Sequence, residues 1–366
     1  MGVHDMAMSR RDLLKAAGAG LLMPEGLLGT RNVWGAASSG KPQSYALIIG
    51  LNAIDAASYG LRQGEVPVLK ACINDAASYL DIAKQKNFTR HRALTDGEAT
   101  RDEVRRHLVW AANNLTSGDL FFVAYAGHGS QVPDRSGEEA SGYNQTWCLW
   151  DGQMIDDELY EHWCLFQPGV RILMISDSCH SGTVARLVAS LESMQRELQI
   201  AGSALSKSLG RHDKTHPPKS KVQTRDATLG KLKNATQGRD LASGDLKSLH
   251  PLIRGLPPDL QDRAYRQQQR TYDAEGKQFR RRGRSQNSMQ ASGLLLAGCQ
   301  DSQTSAEYGE HGFFTAELIE KYGAASSYQQ LLEQAAKEMG PQQIPNFYPF
   351  GVEDQKFYYK QPPFMV

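Results

Sequence analysis

Short apolar runs that alternate with amphipathic stretches constrain the fold of this chain more than any other feature. Residues 45–51, 120–125 and 171–175 are apolar runs of the length of buried strands. Residues 71–84 and 101–113 lie between them and have the pattern of amphipathic helices. Strands that alternate with helices favour a parallel sheet with both faces covered. The pattern therefore predicts an α/β fold with a central, mostly parallel sheet flanked by helices on both faces.

The composition of the chain changes after this region and then changes back. Residues 44–206 form the first portion of the predicted domain, and residues 291–366, which begin with another apolar run, complete the same domain. Between them, residues 207–290 are rich in Lys, Arg, Gln, Ser and Asp, which predicts a long, basic, solvated and flexible insertion. A nucleic-acid-binding arm is the alternative. Acidic residues are mixed in, no aromatic ladder accompanies the basic ones, and the net charge is only +1, so no nucleic-acid partner is expected.

The first residues of the chain resemble a bacterial twin-arginine export signal. Arg10 and Arg11 precede a weakly apolar run that Pro24 ends, and 1–37 is the predicted signal. The protein is then expected to be periplasmic or secreted, and cytoplasmic if the signal does not function. A frayed basic N-terminus is the alternative. The run is too short to span a bilayer, so we expect no stable membrane insertion.

Reactive side chains follow two of the predicted strands, where each strand ends. His128 follows the run 120–125 between two glycines, and Cys179 lies in "DSCHSG" directly after the run 171–175. Ligands of parallel sheets bind beyond the carboxyl ends of the strands, so a thiol and an imidazole are expected in one crevice. A cysteine needs a neighbouring base to become a nucleophile near neutral pH, and His128 can supply it. The backbone N–H groups of Gly129 and Cys179 are candidate oxyanion donors. A buried structural cysteine with a capping histidine is the alternative interpretation.

These residues and their surroundings resemble the caspase-like cysteine peptidases, in particular the bacterial type I metacaspases. The His-to-Cys separation is similar to that of caspases. The resemblance covers residues 45–191 and 293–322 through the motifs "GLN", "LKACINDA", "LTDGEATRDEV", "GDLFFVAYAGHGSQV", "GYNQTWCLWDGQMIDDEL" and "LLLAGCQDSQTSAE". It implies a caspase-like fold and a cysteine endopeptidase that uses His128 and Cys179 as a dyad and acts on proteins or peptides.

The resemblance also implies a specificity. Metacaspases have acidic pocket residues at the positions of Asp75 and Asp177, with Cys72 alongside. Carboxylates in a partly desolvated pocket favour an Arg or Lys side chain and reject an acidic one, so cleavage after Arg or Lys is expected. A surface helix carboxylate is the alternative for Asp75.

Three aspartates raise the question of a metal. The resemblance implies no cofactor for the chemistry itself, but many relatives are activated by calcium through an aspartate cluster, to which Asp151, Asp156 and Asp157 could contribute. Arg186 occupies the place of a further expected aspartate and opposes this. For Asp156 and Asp157, acidic residues at a helix N-terminus are the alternative.

Departures from the family pattern leave other functions open. Ala126 replaces a common serine, and 141–145 lacks carboxylates that the family has there. A degenerate relative that acts as a binding or regulatory module is therefore one alternative, and a legumain-like or clostripain-like peptidase is another. Self-cleavage in the basic insertion, with 280–284 as a candidate site, is a further hypothesis. Asp301 and Gln303 have no assigned role beyond contact with or support of the pocket.

Overall fold

The computed structural model describes residues 41–135, 142–178, 252–282, 289–300, 303, 305–340 and 343–366, with the side chains of 279–282 and 308 left aside. The predicted signal 1–37 and Cys179 lie outside the described residues. The twelve strands of the described part are β1 Ser44–Gly50, β2 Arg90–Thr95, β3 Leu120–Ala126, β4 Gly129–Pro133, β5 Tyr143–Leu149, β6 Gly152–Ile155, β7 Arg171–Asp177, β8 Leu252–Ile253, β9 Ser292–Ala297, β10 Ala306–Tyr308, β11 His311–Gly312 and β12 Asn346–Gly351.

The helices of the described part lie between and after these strands. They are α1 Cys72–Gln85, α2 Arg101–Asn114, α3 Asp156–Trp163, α4 Pro258–Gln267, α5 Gln269–Arg282, α6 Phe313–Lys321, α7 Tyr328–Met339 and α8 Gln355–Tyr359.

A six-stranded sheet in the order β12-β9-β7-β3-β1-β2 forms the centre of the described structure. Its strands pair in parallel except β12, which runs antiparallel to β9 at one edge. The predicted α/β fold with a mostly parallel sheet is confirmed. β2 was not predicted, because its sequence RHRALT is largely polar and its first three residues are exposed at the other edge of the sheet.

Two hydrophobic cores lie on the two faces of this sheet. In β1, Tyr45, Leu47 and Ile49 pack into one core, and Ala46 and Ile48 pack into the other. This alternation follows from the pleat of a strand, and it explains why strands buried on both faces are apolar without interruption. Helices α2 and α3 contribute buried residues to the first core, and α1, α6, α7 and α8 contribute to the second.

Part of the predicted insertion is ordered and packed. Residues 252–282 form β8, α4 and α5, and their buried apolar side chains include Leu256, Leu260 and Tyr272. On α5, Glu275 forms an ion pair of 2.8 Å with Arg101 of α2, whose side chain is 7% exposed. The prediction of a solvated, flexible insertion is therefore wrong for residues 252–282. Leu260, Ala264 and Tyr265 of α4 and Tyr272 of α5 are buried, and several charged groups of the segment are paired.

The start of α1 is packed tightly against the end of β1. A Cβ atom at Gly50 would lie 2.5 Å from the Cys72 backbone oxygen, so only glycine permits this approach. The contact brings the first turn of α1, with Cys72 and Asp75, to the carboxyl edge of the sheet. Among the described helices, none has the length and apolar character needed to cross a bilayer.

Candidate active site

The ends of β3 and β7 bring the predicted loops together. The two strands are parallel neighbours, and Ala126 pairs with Asp177 at their carboxyl ends. His128 follows β3 by two residues, and Ser178 follows β7 directly. The sequence therefore continues from this edge into Cys179, whose own placement lies outside the described residues.

The imidazole of His128 is buried, and in the described part of the chain only its Nε2 forms a hydrogen bond. Nε2 lies 2.8 Å from the backbone oxygen of Pro67, and His128 is 1% exposed. A carbonyl can only accept, so the proton of the neutral ring is on Nε2 and Nδ1 carries the lone pair. Within the described residues Nδ1 has no hydrogen-bond partner. A neutral imidazole with a free, buried Nδ1 is suited to take a proton from a nearby group.

The surroundings of His128 keep it neutral. Burial lowers the pKa of the ring from 6.5 to about 4, the Pro67 carbonyl opposes this change, and the positive charge of Arg254 adds to it. At pH values between about 4 and 6.5, His128 binds a proton in the unfolded chain but not in the folded chain.

This difference predicts a contribution of His128 to acid sensitivity. As the pH falls from 7 to 4.5, the free energy of unfolding should decrease by about 2–3 kcal/mol more in the wild type than in His128→Gln. Urea denaturation of both proteins at each pH measures the difference. Equal pH profiles would show that the ring takes up a proton in the folded state as readily as in the unfolded one.

Asp75 and Asp177 lie in one buried cluster, and both are 0% exposed. Asp177 accepts hydrogen bonds from Ser305 Oγ and, at 2.7 Å, from Thr315 Oγ1. Asp75 accepts from the Gly312 backbone N–H at 3.2 Å, and His311 Nδ1 lies 2.9 Å from its Oδ1. The alternative of a surface helix carboxylate does not hold for Asp75.

A guanidinium lies between the two aspartates. Nη1 of Arg254 is 2.8 Å from Asp177 Oδ2, and Nη2 is 2.5 Å from Asp75 Oδ2. Arg254 is 0% exposed. Its burial favours the neutral form, but the negative charges of Asp177 and Asp75 outweigh this and raise the pKa of Arg254 above its ordinary value. The predicted acidic pocket thus holds a charged arginine of the same chain.

Glu307 is a third carboxylate of this cluster. Its Oε2 lies 3.5 Å from Arg254 Nη2. The Lys70 backbone N–H donates to Oε1 at 2.5 Å, and the Ala71 backbone N–H donates to Oε2 at 3.1 Å. Cys72 Sγ is 4.0 Å from the same Oε2, so the predicted pocket cysteine lies beside Glu307. Burial raises the pKa of the Cys72 thiol, which is therefore a neutral neighbour of the carboxylates.

The backbone of residues 252–254 pairs with that of residues 305–307 as an additional strand. β8 pairs antiparallel with β10, and the Arg254 N–H donates to the Ser305 backbone oxygen at 3.0 Å. The N–H of Gly129, one of the predicted oxyanion donors, donates to the Arg254 backbone oxygen at 2.9 Å. Gly255 forms a parallel bridge with Gly129.

The three aspartates considered for calcium are engaged with protein groups. Asp151 Oδ1 accepts the Arg101 backbone N–H at 2.8 Å, Asp157 Oδ2 accepts the Asn144 side-chain amide at 2.9 Å, and Asp156 is the first residue of α3. Such positions suit carboxylates at a helix N-terminus. Within the described ranges, no group of three or more His, Cys, Asp or Glu residues is arranged to hold a metal ion.

Several residues of the site were not identified from the sequence. Pro67 contributes only a backbone oxygen, which no side-chain pattern reveals. Glu307 lies at the end of the motif "QDSQTSAE", which also contains Asp301 and Gln303. Asp301 is outside the described residues, and Gln303 Oε1 accepts the Ile344 N–H at 2.7 Å. The sequence feature that could have indicated Arg254 is the short apolar pair before it and the glycine after it, within an otherwise polar stretch. Ala126, which replaces the serine common at this position in the family, packs with Leu69 and Cys72.

Comparison with known proteins identifies the family of this chain. Residues 43–357 match the model of the caspase domain of peptidase family C14, and the chain belongs to this family. The crystal structure of a Geobacter sulfurreducens protein is 32% identical, with a TM-score of 0.63, over 89% of this chain and 99% of that one. The resemblance to caspase-fold proteins and the fold class are thereby confirmed.

Metacaspases are among the curated relatives. Metacaspase-1 of Mycosarcoma maydis is 33% identical over 177 residues, which is 44% of this chain and 41% of that protein. Metacaspase-1B of Aspergillus terreus is 31% identical over 175 residues, 43% of this chain and 44% of that protein. The chain thus spans less than half the length of these two relatives.

Proposed function

We propose that this protein is a cysteine endopeptidase of metacaspase type that hydrolyses peptide bonds after Arg or Lys. The observation that carries the proposal is the buried guanidinium of Arg254, held between Asp75 and Asp177 at the edge of the sheet where His128 lies. A pocket that binds one arginine side chain in this way is suited to bind that of a substrate.

The described groups account for most of the chemistry, and Cys179 is assigned from the sequence. His128 Nδ1 takes the thiol proton, and the Cys179 sulfur adds to the scissile carbonyl carbon. The Gly129 N–H, which already donates to a carbonyl at 2.9 Å, stabilises the oxygen as it becomes negative, together with the Cys179 N–H. His128 then gives its proton to the leaving amine, and water hydrolyses the thioester.

The charges of the pocket set the expected order of substrates. Three buried carboxylates, of Asp75, Asp177 and Glu307, surround the position of the guanidinium. An aspartate side chain there would add a fourth negative charge without a partner. Arg254 reaches Asp75 and Asp177 with different nitrogens, and a lysine ammonium has no such fork, so Arg should be preferred over Lys.

A peptide cleavage profile tests the proposal. With matched peptides that end in Arg, Lys or Asp, kcat/KM for Arg should exceed that for Asp by about 10³-fold or more, because the acidic pocket leaves an Asp side chain unpaired. Each peptide is measured with calcium and with a chelator, and Cys179→Ala gives the background. Faster hydrolysis of the Asp peptide would contradict the proposed specificity.

A binding module without catalysis is the second candidate function. The observation that favours it is the occupation of the acidic pocket by the protein's own Arg254, together with Ala126 in place of a polar contact. The same profile separates the two candidates. Hydrolysis of none of the three peptides, with or without calcium, together with no self-cleavage of the chain, would support the binding module and reject the peptidase.

A further inference from the structure

We propose that the peptide bond between Arg254 and Gly255 is where the protein cleaves its own chain. This inference rests on the proposed function, and it identifies an intramolecular substrate of that site. It replaces 280–284 as the candidate position of self-cleavage.

The side chain of Arg254 makes the contacts expected of the residue before a scissile bond. Its two terminal nitrogens reach Asp75 and Asp177, and Nη1 also lies 3.2 Å from the Asp177 backbone oxygen. The cavity is closed around it, since Arg254 and both aspartates are 0% exposed. The contacts are specific for a forked cation, and they fix the position of the Arg254 Cα relative to the edge of the sheet.

The backbone before the bond is extended and paired. Leu252 and Ile253 form antiparallel pairs with Glu307 and Ala306, and the Arg254 N–H donates to Ser305 O. Peptides that add a strand to an exposed edge are bound in this manner, with main-chain hydrogen bonds for affinity and a pocket for one side chain. Peptidases of this kind need an extended backbone at the bond that they cut, and residues 252–254 supply it.

The bond itself lies against the proposed catalytic groups. The Arg254 carbonyl oxygen accepts the Gly129 N–H at 2.9 Å, and on the other side of the bond the Leu256 N–H donates to the Gly129 oxygen at 2.9 Å. The next residue, Gly255, forms a parallel bridge with Gly129, the chain neighbour of His128. Gly129 therefore binds the carbonyl oxygen of the bond, and His128 precedes it directly in the chain.

The step consumes one water molecule. The Cys179 thiolate adds to the Arg254 carbonyl carbon, the C–N bond to Gly255 breaks, and the Gly255 nitrogen leaves with the proton that His128 had taken from the thiol. Water then replaces sulfur at the carbonyl carbon, and its proton returns the thiol. The products are a carboxylate at Arg254 and a free amine at Gly255.

The alternative position lacks this arrangement. Arg280 to Arg282 are the last residues of α5, whose helix would have to unwind before its backbone could pair as a strand. In the described part of the chain, Arg254 is the arginine that lies in the acidic cluster.

N-terminal sequencing and intact mass of the full chain, incubated in reducing buffer, test the proposal. We expect a new N-terminus at Gly255 in the wild type and none in Cys179→Ala. The bond is buried within its own molecule, so its cleavage should follow first-order kinetics with a rate constant independent of protein concentration, and wild-type protein should leave Cys179→Ala uncut.

Substitutions of Arg254 sharpen the test. Arg254→Gln should produce no new N-terminus at Gly255. Arg254→Lys keeps the cation, so it should fold and should still produce this N-terminus, but more slowly than the wild type. Arg266→Gln is the matched control, since Arg266 lies on α4 with a side chain 71% exposed, and it should be cut like the wild type.

The outcomes separate this inference from the proposed function. Hydrolysis of Arg peptides without a Gly255 terminus would overturn the inference and leave the peptidase intact. Hydrolysis of neither the peptides nor the chain would reject both. A Gly255 terminus in Cys179→Ala would assign the cut to another catalyst and overturn the inference.

Discussion

Replacing His128 with glutamine is expected to lower kcat for an Arg peptide by about 10²–10⁴-fold, the usual contribution of a positioned general base and acid. Glutamine can still donate to the Pro67 oxygen, which Nε2 of His128 contacts at 2.8 Å. It has no nitrogen that can take and return a proton.

His91→Gln is the control for this substitution, because His91 is an exposed residue of the edge strand β2. Steady-state kinetics of the wild type and both variants give the comparison, and circular dichroism verifies folding. If His128→Gln retained kcat within about threefold of the wild type, a role of the ring in proton transfer would be rejected.

Replacing Asp177 with asparagine is expected to reduce the free energy of unfolding by about 1–3 kcal/mol, because a buried nitrogen of Arg254 loses its charged acceptor while Asp75 and Glu307 still pair with the guanidinium. Asparagine has nearly the same shape and can still interact with Ser305 and Thr315. It removes the negative charge that lies 2.8 Å from Arg254 Nη1. The same change should weaken hydrolysis of Arg peptides more than that of uncharged ones.

Asp81→Asn is the matched control, since Asp81 pairs with Lys84 at 3.1 Å on the surface and is 63% exposed. Exposed pairs contribute about 0–1 kcal/mol, so its stability should be near that of the wild type. Urea denaturation of the three proteins measures the difference. A loss for Asp177→Asn no larger than for Asp81→Asn would show that the buried charges are not coupled.

The central sheet was predictable because its strands carry their own signal. β1, β3 and β7 are buried on both faces, and continuous apolar runs mark such strands in the sequence. The position of His128 followed from the rule that parallel strands present their carboxyl ends at one edge. β2 lacked this signal because it lies at an edge of the sheet, where polar residues are tolerated.

The acidic pocket was predictable only in part. The resemblance pointed to Asp75 and Asp177, and these two carboxylates are found together. Their partner Arg254 is 179 positions away from Asp75, in a stretch whose composition predicted solvent exposure. Ion pairs between distant segments leave no local periodicity, so the burial of Arg254 depends on the assembled fold. The roles of Cys179, the export signal and calcium binding stay predictions.

The arginine already present in the acidic pocket has a consequence for any ligand added from solution. A tethered group competes at an effective concentration on the order of millimolar for a short flexible connection, and higher when the backbone is also fixed. Soluble arginine mimics should therefore bind weakly to the uncut chain. Their apparent affinity is reduced by the fraction of molecules in which the pocket is vacant, so screening for inhibitors would be more informative on protein in which residue 254 is not a cation.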